Sequence, residues 1–444
     1  MSLIQAAWLF AALVLFVIAT ARGHVNAFLA LIVASAFFGF GAGMATSQVG
    51  KSFGIGFSQT LQSLGLVVVA GALMAAIADG TGATSWLQAR ARGWRRRSLP
   101  LALVGLLGGL GASPAAAFAV LTPLRRAISG DSPRGALTLG LALSASHGLI
   151  LPAPVMIAAV TILGADWGHA LTFGVPALVL PFLIGVVFAH FAADTDAPAP
   201  EPFAGAADAD SYHAPRRGAF ALVLVTLVLL GFLITASLGD IASEPFGGGS
   251  NREFLLAFGR PLILLLAGTG LLLLLSWHWQ RGGLADEGWA GQALARAAVL
   301  VLVIGAAGGL QKLIQDTGLP EMNAERLLGW QPMPALALVL PFALAAVMKT
   351  LQGSSLVAAI TAAGMTAPLL GGLGLDDEAG RALAALAVGA GAMTVPHIND
   401  GLFWLVTVGG RMTPPSGLAR FSLGAALQGA GALAALSLLR ALAG

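Results

Sequence analysis

The sequence predicts an all-α polytopic membrane protein built from two inverted-topology repeats, each carrying a re-entrant helical hairpin. Three observations predict it. Hydrophobic residues make up 57% of the 444-residue chain and charged residues only 10%, with a mean hydropathy of +0.87. A water-facing surface needs about 25% charged residues. Apolar segments long enough to cross about 30 Å of hydrocarbon recur from end to end. The short alternating segments of a lipid-facing barrel are absent. Finally, polar islands interrupt the apolar runs at corresponding places in the two halves.

The segments expected from hydropathy are 3–21, 25–44, 57–79, 99–128, 135–163, 169–192, 218–238, 256–276, 291–315, 332–372, 380–409 and 418–442. That is about 10 membrane-spanning helices plus two hairpins. The first segment has no preceding basic residue and no clear cleavage site, so it is expected to be a mature helix. Arg90, Arg92, Arg95, Arg96 and Arg97 form the strongest basic cluster and place their loop in the cytoplasm. Arg125, Arg126 and Arg134 fall on the same side only if segment 99–128 enters and leaves together, as a hairpin does. The expected organisation is an N-terminal half over 1–192 with hairpin 99–128, a cytoplasmic linker over 193–217, and a C-terminal half over 218–444 with hairpin 332–372. Three collinear matches support the repeat. "GALMAAIADGTG" resembles "GGLQKLIQDTG", "GASPAAA" resembles "GSSLVAA", and Pro152 falls where Pro396 does. Inverted repeats with paired broken segments are a transporter pattern, with the substrate near the midplane.

Glycine (59 residues) and proline (22) suit close helix contacts and helix breaks. The absence of cysteine excludes disulfides, thiolate metal sites and cysteine nucleophiles. No metal site or cofactor is expected. The net charge of +3 requires no nucleic-acid partner. Trp86, Trp94, Trp167, Trp277, Trp279, Trp289 and Trp330 cluster near segment ends and read as interfacial anchors.

The candidate site residues lie in the polar islands. The hairpin tips carry Gly111–Ala112–Ser113–Pro114 and Gln352–Gly353–Ser354–Ser355. An interrupted helix frees backbone N–H groups, and the half-helix that follows presents a partial positive charge. Serine caps that end and offers a hydroxyl, so a carboxylate or polyol can dock at Ser113, Gly353, Ser354 and Ser355; close helix packing is the bland alternative. His147 precedes Pro152 and Pro154; it serves either as a proton carrier or as a neutral imidazole bonded to a freed carbonyl. "TVPHINDGLFWLV" places His397, Asn399 and Asp400 beside a proline break, where each intramembrane charge costs about 2.5–3.5 kcal/mol and marks a task. Lys349 pairs with a substrate carboxylate, pairs with Asp400 when the site is empty, or snorkels to the interface. Asp79 and Asp316 read as capping or structural residues.

At these residues the chain resembles the gluconate permease family of proton-coupled sugar-acid symporters. "LALSASHGLILPAP", "LQGSSLVAAITAAGMTAPL" and "PHINDGLFWL" carry the resemblance, which covers most of the chain in order. It matches the family pattern at His147, Gly353, Ser354, His397, Asn399 and Asp400. It implies an elevator-type secondary transporter, often a homodimer in the bilayer, importing gluconate-like hydroxy acids across a bacterial cytoplasmic (inner) membrane. Typical members have a tyrosine–glutamate pair where this chain has Pro114 and Ala115, a histidine at Ala153, and often an arginine at Lys349. Those departures imply a divergent member with a different small organic acid as substrate.

The function expected is therefore proton-coupled uptake of a small hydroxylated carboxylate, with sodium as the other coupling ion. Substrate contacts are expected from Ser113, Lys349, Gly353, Ser354, Ser355, His397 and Asn399, and proton coupling from His147, His397 or Asp400. The alternative is a membrane-embedded enzyme, a lipid-linked transferase or an intramembrane hydrolase. HExxH, DxxxD and GxSxG motifs are all missing, although Ser354 or Ser355 with His397 offers a hydrolase pair.

Overall fold

The computed structural model describes residues 2–91, 98–192, 215–241, 245–247, 249–276, 283–318 and 337–443. Every regular element among them is helical. The first half contains α1 (Ser2–Ala21), α2 (Ala27–Gly41), α3 (Thr46–Thr60), α4 (Leu66–Gly80), α5 (Ala83–Ala91), α6 (Ser98–Gly108), α7 (Pro114–Ser129), α8 (Pro133–Leu149), α9 (Pro154–Leu163) and α10 (Trp167–Phe191). The second contains α11 (Pro215–Gly239), α12 (Ser250–Phe258), α13 (Pro261–Ser276), α14 (Trp289–Asp316), α15 (Val339–Gln352), α16 (Ser355–Thr366), α17 (Glu378–Gly391), α18 (Gly401–Gly409), α19 (Pro414–Gly417) and α20 (Leu423–Ala443).

Seven stretches of the described residues are long and apolar enough to cross a bilayer, or eight if α12 and α13, bent by 67°, count as one. Pro261 at the start of α13 accounts for that bend, since it brings no N–H to continue the ladder. The other apolar segments are short helices arranged around breaks. Segment 99–128 resolves into α6 and α7 joined at 109–113, and the described part of 332–372 into α15 and α16 joined at Gly353–Ser354. After each pair comes an interrupted helix. α8 stops at Leu149 and α9 starts at Pro154, while α17 stops at Gly391 and α18 starts at Gly401. Hydropathy had merged 380–409 into one run because the break, "AMTVPHIND", is itself mostly apolar.

The expected segment 57–79 starts eleven residues late, since α3 begins at Thr46. Ser47, Gln48, Lys51 and Ser52 dilute the apolar count there. The helix forms anyway because its glycines let α14 approach. A methyl group on Gly56 would overlap the Gly308 carbonyl, and one on Gly308 would overlap Thr60 Oγ1. A π-helical turn, Leu61–Gly65, links α3 to α4. Such turns are often found at functional sites.

The core is assembled on small residues, with Ala117, Ala142, Ala358, Ala384 and Ala387 all buried. Large apolar side chains such as Phe10, Val33, Val179, Leu183 and Leu438 are exposed, as on helices that face lipid. Buried polar groups tie the breaks to their neighbours. Gln428 Nε2 donates to the carbonyls of Leu141 (3.2 Å) and Pro181 (2.8 Å). Ser237 Oγ donates to the Pro152 carbonyl at 2.5 Å, and Ser422 Oγ to the Pro396 carbonyl.

Asp79 bridges Arg126 at 3.0 Å, and Asp316 pairs with Lys312 one turn back at 2.5 Å. Trp86 stacks under Arg90, 5.7 Å from ring centroid to guanidinium. Arg92, Arg95–Arg97, Trp94, Trp277, Trp279, Trp330, most of the 193–217 linker and positions 332–336 lie outside the described residues.

The glycine crossing yields a first prediction. Gly308→Ala has to push α3 away from α14 and should cost about 1–3 kcal/mol, lowering the thermal midpoint of the purified protein. Ala substitution at Gly54, where a methyl group meets nothing within 4 Å, should leave the midpoint unchanged.

Candidate functional site

The helix breaks exist because the sequence supplies start signals in the middle of apolar stretches. Ser113 caps α7, its Oγ accepting from Ala116 N at 3.4 Å, with Pro114 at the first helical position. Ser354 caps α16 in the same way through Val357 N at 3.4 Å. Asp400 caps α18, Oδ1 accepting from Leu402 N at 2.7 Å. Pro154 opens α9. These four starts share one cavity of about 540 Å3, lined by Ser113–Ala115, Pro154, Ser354–Val357 and Asn399–Leu402. First-turn N–H groups lack helical partners and carry partial positive charge, so four such ends facing one space favour an anion.

The second tip is locked to the α17–α18 break by side chains that satisfy the orphan carbonyls closing α15. His397 Nε2 donates to the Thr350 carbonyl at 2.6 Å. Asn399 Nδ2 donates to Thr350 O at 2.9 Å and Leu351 O at 3.3 Å. Lys349 Nζ reaches the Gly353 carbonyl at 2.7 Å and Asp400 Oδ2 at 2.5 Å. Gly353 sits at φ +68°, and a methyl group there would overlap the Asn399 carbonyl, so only glycine fits the turn. Val395, immediately before Pro396, is also left-handed at φ +44°, an unfavourable conformation for a β-branched residue. Strain of this kind, about 1–3 kcal/mol, persists only where surrounding contacts over-determine the backbone.

Lys349 and Asp400 are 3% and 6% exposed, so they form a buried ion pair with additional hydrogen bonds on both partners. His147 is buried and bonds through Nδ1 to the Gly109 carbonyl in the first tip, 2.9 Å away. A carbonyl only accepts, so Nδ1 carries the hydrogen and Nε2 is the titrating nitrogen. By the same reasoning His397 holds its hydrogen on Nε2. Its Nδ1 is buried with no partner, as is Asn399 Oδ1.

The cavity thus gathers Ser113, His147, Lys349, Gly353, Ser354, Ser355, Asn399 and Asp400 from positions far apart in sequence. His397 is not among its walls. The side chain expected to touch substrate stands behind the tip, fastened to Thr350. The cavity also includes residues that the sequence reading passed over: Gln59, Thr60 and Ser63 from α3 and the π-helical turn, Ser144 from α8, and Gln311, Lys312 and Gln315 from α14. The signal was present. Gln59 and Ser63, like Gln311 and Gln315, are spaced four apart, the interval that places two side chains on one helix face.

A family model for GntP family permeases matches residues 2–442. The chain belongs to the GntP permease family. Among relatives, it is 29% identical to a gluconate permease of Pseudomonas aeruginosa over 401 residues, covering 87% of this chain and 86% of that one. It is 29% identical to a high-affinity gluconate transporter of Escherichia coli K12, covering 86% and 87%. The crystal structure of the YdaH transporter of Alcanivorax borkumensis aligns over 87% of this chain and 88% of that one, at 15% identity and a TM-score of 0.39. This GntP-family chain is therefore an integral multi-pass membrane transporter rather than an enzyme.

The ion pair of this permease yields a second prediction. Lys349→Met alone or Asp400→Leu alone should each cost about 3–5 kcal/mol by stranding a buried charge. The double substitution should recover most of that loss in thermal unfolding of purified protein. Additive losses would show that the two charges do not depend on each other.

Proposed function

We propose that this permease imports a small hydroxylated carboxylate of the gluconate class, coupled to protons, by elevator-like alternating access in the bacterial cytoplasmic membrane. The observation that carries the reading is the polar cavity itself: four helix starts, a buried lysine and a buried aspartate around about 540 Å3. That volume falls in the usual range for small-molecule sites, about 300–1,000 Å3. The gluconate named for the relatives has one carboxylate and a chain of hydroxyls, and the walls offer a matching set. Lys349 and the first turns of α7 and α16 suit the carboxylate. Gln59, Thr60, Ser63, Gln311, Gln315 and Ser355 suit the hydroxyls, since amides and hydroxyls both donate and accept.

Charge balance supports the coupling. Empty, the Lys349–Asp400 pair is neutral overall. An entering carboxylate competes with Asp400 for the ammonium and leaves one uncompensated negative charge in a site of low dielectric. A proton taken up on Asp400 restores neutrality, so anion and proton enter together. His147, with Nδ1 fixed on the first tip and a titratable Nε2, is the second candidate for the proton. His397 acts one step away, setting the position of Asn399 and the second tip. Sodium would supply the same neutralising charge, and the gradient that drives uptake separates the two.

The recurring order of hairpin and interrupted helix supports two inverted repeats over 1–192 and 218–444, with the chain between them as linker. Moving the site from one face to the other requires that bound substrate stabilise both tips against the breaks more than the empty site does. A homodimer would give the moving unit a fixed partner to slide against.

In proteoliposomes, wild-type protein should accumulate labelled gluconate against its gradient when protons, and not sodium, are driven inward. Asp400→Asn should lose that accumulation while keeping some substrate exchange, given a matched size-exclusion profile. Unchanged uphill uptake by Asp400→Asn would remove this carboxylate from the coupling role.

A further inference from the structure

A second cavity, of about 420 Å3, lies at the far end of the helices that wall the first. α7 gives Ser113–Ala115 to the first cavity and Phe118, Thr122, Arg125 and Arg126 to the second. α18 gives Gly401 and Leu402 to the first, Leu405, Val408 and Gly409 to the second. On α14 the order reverses, as an antiparallel neighbour requires: Ile304–Gln315 face the first cavity and Ala293–Leu300 the second. The two chambers share three walls and are about 5 Å apart along α7, from Ala115 to Phe118 at roughly 1.5 Å per residue. The wall residues nearest the gap along the shared helices, Phe118 and Leu405 of the second cavity and Ile304 of the first, are all buried.

The second chamber is cationic. Arg125, Arg126, Arg296 and Arg411 line it, against Asp131 and the nearby Asp79. Four positive and two negative charges leave an excess of two positives. Both carboxylates already engage the α7 arginines. Asp131 Oδ1 accepts from Arg125 at 3.0 Å and Arg126 at 3.1 Å, and Asp79 bridges Arg126 at 3.0 Å. Arg296 acts on Asp79 and Arg411 on Asp131, so both belong to the same network and bring positive charge to it from two further elements. Arg411 does so at φ +52°, a costly conformation outside glycine, with its N–H on the Val408 carbonyl at 3.0 Å. Burial works against ionisation of Asp131, yet the neighbouring Arg125, Arg126 and Arg411 hold its carboxyl below the ordinary carboxylate range. Guanidinium groups match carboxylate and phosphate oxygens in pairs.

We propose that this chamber is a second anion station, binding a small soluble oxyanion on the path between the first cavity and one face of the membrane. That its occupant is the transported carboxylate rests on the reading above; that it binds an oxyanion does not. A lipid phosphate offers the same chemistry, so the test separates the sources.

Thermal unfolding is followed in zwitterionic nanodiscs with gluconate or inorganic phosphate added, and in nanodiscs containing phosphatidylglycerol without either. Lys349→Met/Asp400→Leu, the pair replaced together, disables the first cavity without stranding a buried charge. It should still be stabilised by gluconate, and adding Arg296→Gln and Arg411→Gln should weaken that response at least tenfold in concentration. Because Arg296 acts on Asp79 and Arg411 on Asp131, each variant's own unliganded midpoint is the reference, and the anion response is read as the shift from it. Stabilisation of the wild type by phosphate but not gluconate, lost in Arg296→Gln/Arg411→Gln, would support the station while overturning the gluconate-class assignment. No response of Lys349→Met/Asp400→Leu to either anion would overturn the station. A response confined to phosphatidylglycerol discs would overturn it in favour of a lipid site.

Discussion

The arrangement depends on how the α15 C-terminus is closed. A helix that stops within the bilayer leaves carbonyls that water cannot reach, each costly in hydrocarbon. Here three side chains of the α17–α18 region meet them or their neighbours. His397 and Asn399 donate to Thr350 and Leu351, and Asp400 holds Lys349, whose ammonium also takes the Gly353 carbonyl. One polar segment thereby closes α15, starts α18 and fixes the second tip. The ion pair is worth having only because it sits in this lattice, since buried charges without hydrogen bonds rarely recover their desolvation.

The first tip is held by a related but lighter device. His147 bonds the Gly109 carbonyl, and no ammonium or carboxylate accompanies it among the walls contributed by α7 and α8. Pro114 and Ala115 stand at the start of α7 on this side of the cavity, and neither carries a charge. The charged side chains of the cavity are Lys349 and Asp400 at the second tip and Lys312 on α14, which Asp316 pairs at 2.5 Å. The first tip supplies helix-dipole potential and a hydroxyl. This asymmetry is consistent with a substrate bound by its carboxylate at one end and its hydroxyls along α3 and α14.

Much of this was legible in the sequence. Serine followed by apolar residues announced the starts of α7 and α16, an ionisable cluster between apolar runs marked the region of α18, and the capping of α18 by Asp400 came only with the structure. Two things were hidden. Polar residues of α3 and α14, such as Gln59 and Gln311, looked like ordinary dilution of apolar segments, because their role depends on the close crossing at Gly56 and Gly308. The role of His397 was also hidden, since an imidazole facing a substrate and one capping a carbonyl share the same sequence. Only the fold, which sets the Thr350 carbonyl 2.6 Å from His397 Nε2, distinguishes them.

The central claim is that an anion and a proton enter the Lys349–Asp400 site together, and proton uptake on binding tests it most directly. Gluconate added to weakly buffered, detergent-solubilised protein near pH 7, with a pH-indicator dye present, should draw about one proton from solution per anion bound, as linkage requires. Asp400→Asn should bind without that uptake. Saturable binding by the wild type with no change in proton concentration would contradict the account.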